Sequence, residues 1–260
     1  MKHRPTTFLA TVLPPAVALI FVLAGVEAWA RWSHQPAYLV PRPSAILVAL
    51  GPRGAALWNA LLWTAVASLA GFAASTIFGI FAAVLLAGSK WVRRAVYPYT
   101  LFFQTVLIVA IAPLLVFWMG VGIVPVATCA FVVSVFPVIA NTLSGLVSTE
   151  PALVDLFRLY GASRFASLWK LRLPAALPNI FIGLRIAAGL AVIGAVVAEF
   201  LVGTLGEHEG LGVRIVENTK YAYPDRVFAA VLLASFLGLA MFTVINIIAF
   251  LSLRRWHASQ

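Results

Sequence analysis

Two charged residues stand inside the apolar segment "GLRIAAGLAVIGAVVAEF": Arg185 and Glu199. Charges at membrane depth are costly and turn toward protein or water, so these two are the first places to look for transport chemistry. At helical spacing Arg185, Ala188, Val192, Ala195 and Glu199 share one face. The two charges lie about 21 Å apart along such a helix and cannot pair within it. The face is expected to meet either neighbouring helices or a translocation path. A further reading puts Glu199 near the outer interface, hydrogen-bonded to the following loop. Gln104, Asn141 and Asn246 are other polar residues in apolar runs and read first as interhelical hydrogen bonds.

Bond-making chemistry has no such foothold. His3, His34, His208 and His257 are scattered, with no pair at metal-ligand spacing. Glu207, His208 and Glu209 are adjacent on a loop and do not converge on one ion. Cys129 has no second cysteine to join. The dipeptide Gly-Lys never occurs, so the chain has no G-x-x-x-x-G-K-[ST] loop to cradle phosphates. No catalytic residue, metal site or cofactor bound by this chain is expected.

The elements that position these residues follow from composition. The 260 residues are 63% hydrophobic and 10% charged, against about 25% charged in ordinary globular domains. One core cannot hide that much apolar surface, so the bilayer must serve as solvent. The net charge of +10 is therefore read as membrane topology and not as nucleic-acid affinity. Spans of about twenty residues are expected at Phe8–Ala30, Leu57–Ala87, Tyr97–Met119, Val124–Val147, Ile180–Val202 and Val227–Leu253. This is an all-α integral membrane protein of about six transmembrane helices, forming one domain over 1–260. Ala28-Trp29-Ala30 imitates a signal-peptide cleavage site, but the apolar run from Phe8 to Val26 is nearer span length, and a retained first helix is expected.

Basic residues fix the orientation. Lys2 and Arg4, Lys90, Arg93 and Arg94, Arg158, Arg164, Lys170 and Arg172, and Arg254 and Arg255 fall on one side, which is expected to be the cytoplasm together with both termini. Most of the acids, among them Glu209, Glu217 and Asp225, fall on the other. There Gly206, Gly210 and Gly212 suggest a tight, hinge-capable turn ahead of the last helix.

Residues 148–178 form the longest cytoplasmic interruption. Ser148, Thr149 and Glu150 with Pro151 start a helix, and Leu153, Leu156, Phe157 and Tyr160 make its apolar face. Gly161 ends it, Ser163 caps a second helix carrying Phe165, Leu168 and Trp169, and Pro174 and Pro178 are expected to break the chain before it re-enters the membrane. Spacing alone leaves two readings: a connector resting on the bilayer, or a docking surface for a soluble partner.

"GASRFASLWKLRLPAALP" resembles the cytoplasmic EAA loop in permease subunits of binding-protein-dependent ABC importers. Gly161, Leu171, Leu173 and Pro174 match at the family's spacing, and the Glu-Ala-Ala itself falls on Asp155, Leu156 and Phe157. "FQTVLIVAIAPLLVFWMGVG", "FPVIANTLSGL" and "GLRIAAGLAVIGAVVAEF" extend the resemblance to the subgroup serving nitrate, sulfonates, taurine and small heterocycles. The resemblance implies a type I ABC importer permease fold in a bacterial inner membrane. It also implies coupling helices at Leu153–Leu173, with Asp155, Leu156, Phe157, Arg158, Gly161, Ala162, Ser163, Arg164, Leu171, Leu173 and Pro174 meeting a dimer of ATPase subunits. ATP and magnesium would be held by those subunits, a second permease copy would complete the path, and a solute-binding protein would deliver the solute from outside. The rival expectations are an ion-gradient-driven transporter with Glu199 as proton carrier, a membrane enzyme, and a structural membrane protein.

Overall fold

The computed structural model describes residues 8–33, 41–51, 54–88, 91, 94–95, 108–202 and 209–257. Their longer elements are all helical: α1 Phe8–Trp32, α2 Pro43–Leu50, α3 Ala55–Gly88, α4 Ile108–Met119, α5 Ile123–Val147, α6 Pro151–Leu159, α7 Arg164–Ser167, a π-turn Leu168–Arg172, α8 Leu173–Val202, α9 Leu211–Lys220 and α10 Pro224–His257. Four continuous helical stretches are long and apolar enough to cross a membrane: Ala55–Gly88, Ile123–Val147, Arg164–Leu201 and Pro224–Arg254. Gln104 and the first part of the expected span Tyr97–Met119, up to residue 107, lie outside the described residues.

Small residues set the packing, because apolar side chains gain nothing over lipid unless backbones approach closely. α5 is the central helix, flanked by α3 and α8. A Cβ added at Gly71 of α3 would come within 2.5 Å of the Ala130 side chain, and one at Gly183 of α8 within 2.8 Å of the Pro137 carbonyl oxygen. Ala67, Ala112, Cys129, Ala130, Ala191 and Ala195 are buried together where α3, α4, α5 and α8 meet. Farther along, Val138 and Leu146 of α5 pack with Ile180, Phe181 and Leu184 of α8 and Ala249 of α10. α1 meets the bundle through α2 and leaves Ile20 and Phe21 exposed. Glu27 of α1 accepts from the Ser44 amide and hydroxyl, at 3.1 and 2.9 Å, and tethers the start of α2.

Pro174 and Pro178 do not break the chain as their residue type predicts: helix is continuous from Arg164 to Val202. Proline removes a donor and crowds the carbonyl four residues back. Here the wider π-turn Leu168–Arg172 comes directly before, with the Leu173 amide bonded to the Leu168 carbonyl, and gives Pro174 the room that an α-turn denies. The outer segment also differs from the expected turn. It contains α9, ten residues long, and Gly210 at its N-cap is extended (φ −78°, ψ 178°) instead of left-handed.

Candidate functional site

The polar groups gather at the two ends of α8. At its first end lies the interruption between α5 and α8. Ser148 and Thr149 hydroxyls turn back to the Gly145 and Leu146 carbonyls of α5, so neither caps α6. Glu150 occupies the N-cap without a side-chain bond, and Pro151 opens the helix, where its missing amide is not needed. α6 closes on Gly161, whose φ of +72° is the left-handed geometry that glycine takes without a Cβ penalty. The Gly161 and Ala162 amides donate to the Arg158 and Phe157 carbonyls, both at 2.9 Å. Ser163 then caps α7, its hydroxyl accepting from the Ala166 amide at 3.1 Å.

That geometry presents an apolar surface to solvent. Leu159 is 85% exposed, Tyr160 84%, Phe165 70% and Trp169 56%, while Leu153 and Leu156 are exposed to a lesser degree. The Phe165 and Trp169 rings sit together, 6.0 Å between centroids. Asp155 pairs with Arg158 at 3.4 Å along the exposed face. Arg164 is exposed, Ala162, Phe157, Leu171, Leu173 and Pro174 are half-buried, and Ser163 lies at the α6–α7 joint. The element is thus a rigid two-helix projection carrying large apolar side chains, joined without a break to a spanning helix.

At the other end of α8, Glu199 is 5% exposed and fully engaged. Its carboxyl accepts from the Gly212 amide at 2.9 Å, and the Thr64 hydroxyl lies 2.9 Å from both of its oxygens. Thr64 in turn accepts from the Leu211 amide at 2.9 Å. The orphan amides of the first turn of α9 are therefore satisfied by α3 and α8, a cap supplied from across the fold, and the positive end of the helix dipole faces the acid. Gly210 and Gly212 are needed for this approach: a Cβ on Gly210 would overlap the Glu199 carboxyl, and one on Gly212 would come within 2.7 Å of the Glu199 Cβ. Arg214, itself half-buried, pairs with the half-buried Glu209 and Glu217.

The rest of that face of α8 is packed: Ala188, Val192 and Ala195 are buried against α10 and the α3–α4–α5 core. The Asn141 amide nitrogen donates at 2.8 Å to the Pro137 carbonyl of its own helix, not to another helix. Asn246 makes no hydrogen bond among the described residues and lines a cleft with Arg185. Sequence reasoning missed Thr64, whose only signal was a hydroxyl in an apolar run, and the capping amides of Leu211 and Gly212.

An exposed apolar projection thus lies at one end of a spanning helix and a braced helix at the other. The family model "Binding-protein-dependent transport system inner membrane component" matches residues 75–257. The chain belongs to that family. Among its relatives, the formylaminopyrimidine transport permease ThiX of Halalkalibacterium halodurans is 35% identical over 90% of this chain and 92% of its own. The taurine transport system permease TauC of Escherichia coli is 31% identical over 84% of this chain and 80% of its own. Among solved structures, a bacterial ABC transporter that imports the acidic polysaccharide alginate superimposes with a TM-score of 0.62 at 18% identity, covering 94% of this chain and 95% of that one. The chain is a binding-protein-dependent ABC permease of the subgroup that contains the taurine and ThiX permeases, a multi-pass membrane protein.

Proposed function

We propose that the chain is the membrane subunit of an ATP-driven importer that takes up a small solute handed over by a binding protein outside. The observation that carries this is the projection α6–α7, with Leu159, Tyr160, Phe165 and Trp169 exposed at the root of α8. A patch of that size on a short loop element calls for a protein partner. ATP hydrolysis then belongs to that partner, bound as a dimer beneath two permease copies in a bacterial inner membrane, with both termini of this chain on the ATPase side. Nucleotide binding shifts the permease between inward- and outward-open states because the ATPase dimer has different affinities for the two.

For the solute, a small nitrogen heterocycle related to formylaminopyrimidine is the first choice, since the ThiX permease shares more of this chain than the taurine permease does. Glu199 offers no argument about solute charge, because its oxygens are committed to Thr64 and Gly212. That enclosure also weighs against the ion-driven alternative, in which Glu199 would have to exchange protons with the path.

The test is reconstitution with the ATPase and binding protein that copurify with this chain. Uptake of a formylaminopyrimidine into vesicles should require ATP and persist when the proton gradient is collapsed. Uptake lost with the gradient while ATP is intact overturns the mechanism; ATP-dependent uptake of taurine alone overturns the solute.

A further inference from the structure

Arg185 of α8 and Arg254 of α10 line one cleft of about 450 Å³, together with Asn246, Phe250 and Leu253. No acid lines it, and neither arginine forms an ion pair among the described residues. The Arg185 Nε is buried without a hydrogen-bond partner. Two guanidinium groups and an amide around one cleft, with no acid among the described lining residues, have the donor chemistry that suits an oxyanion.

The seam continues. Between the same two helices, starting at Gly189 one turn beyond Arg185, runs a second groove of about 410 Å³. Val192, Ile193 and Val196 form one wall, Val231 and Leu239 the other, and no charged side chain lines it among the described residues. Arg185, Gly189, Val192 and Val196 succeed one another at helical spacing on α8, as do Asn246, Leu239, Ser235 and Val231 on α10. The cleft and the groove thus lie in succession along the same two helices, the groove following about 12 Å of α8 from Gly189 to Val197. A free inorganic oxyanion would use only the first half of this seam.

We propose that the α8–α10 seam holds an anionic phospholipid, its phosphate between Arg185, Asn246 and Arg254 and an acyl chain along the groove from Gly189 to Val197. Basic clefts between spanning helices at the cytoplasmic level take such headgroups, and Arg254 lies at the end of α10 opposite the α9 side. The lipid bridges the helix that roots the docking projection and the last span. It satisfies the guanidinium groups without an acidic residue.

The test uses the full chain purified in mild detergent, exchanged with equal amounts of phosphatidylglycerol and phosphatidylcholine, with bound lipid counted by native mass spectrometry. Wild type should retain phosphatidylglycerol preferentially. Arg185→Gln with Arg254→Gln should lower that retention about tenfold, while Arg185→Lys with Arg254→Lys keeps most of it. Unchanged thermal unfolding of the lysine pair guards against misfolding, and loss of lipid from a folded lysine pair equal to that from the glutamine pair would count against a charge-based site. Equal retention of the two lipids by wild type overturns the proposal, as does full retention by the glutamine pair. Displacement by millimolar inorganic phosphate assigns the site to a small oxyanion, and a change in oligomeric state in the glutamine pair assigns the seam to a second copy; either result also overturns it.

Discussion

Thr64 and Glu199, 135 residues apart in the chain, meet at 2.9 Å and jointly hold the first amides of α9. Thr64→Val keeps the shape and removes the hydroxyl, leaving the buried Leu211 amide unpaired. The expected cost is about 1–3 kcal/mol, read as a lowered unfolding temperature in detergent, with Thr64→Ser close to wild type. Glu199→Gln should lower stability in the same way yet leave transport per folded molecule unchanged. Transport abolished in a stable Gln variant would instead give the carboxyl a role in the path.

Gly212 and Gly238 provide a matched pair. Alanine at Gly212 meets the Glu199 Cβ at 2.7 Å, whereas alanine at Gly238 meets nothing within 4 Å. Gly212→Ala should destabilise by about 1–3 kcal/mol and increase hydrogen exchange across Leu211–Lys220. Gly238→Ala should be neutral, and equal effects of the two would dismiss the close-approach explanation.

Phe165 and Trp169 sit together, their rings tilted at 53°, on the exposed side of the α6–α7 projection. Replacing both with serine should abolish copurification of the ATPase subunit and solute-stimulated ATP hydrolysis. The unfolding temperature of the isolated permease should hardly move, because neither ring is buried in the bundle. Wild-type ATPase binding by the double variant would reassign this surface to the lipid interface.

Gly161 gives a subtler test of the same element. Its φ of +72° penalises any side chain, by roughly 1–2 kcal/mol for alanine. Gly161→Ala should loosen the angle between α6 and α7 and weaken ATPase binding, with no change in the spans. Limited proteolysis near Gly161 would report the loosening.

The long helices were legible because a spanning segment announces itself by length and apolarity, and Gly161 and Ser163 because turn and cap chemistry is local. Pro174 broke the expectation for the same reason: a rule about α-turns took no account of the π-turn ahead of it, while Pro178 sits within the helix it was expected to end. α9 went unread because its glycines look like a loop until Glu199 is placed beside Gly210 and Gly212. Thr64 was invisible for a similar reason, since its meaning lies in an amide 147 positions away and a carboxyl 135 positions away. Local chemistry can be read from neighbouring residues, whereas a cap supplied across the fold requires the fold.

Because the π-turn joins α7 to α8 without a break, the exposed Phe165–Trp169 surface and the Glu199 brace belong to one continuous helical stretch of 38 residues, Arg164–Leu201, about 57 Å long. Rocked about its middle by about 5°, such a rod shifts its two ends by about 2.5 Å in opposite directions. In a rod that moves as one body, a displacement at Trp169 is answered by one of opposite sense beside α9.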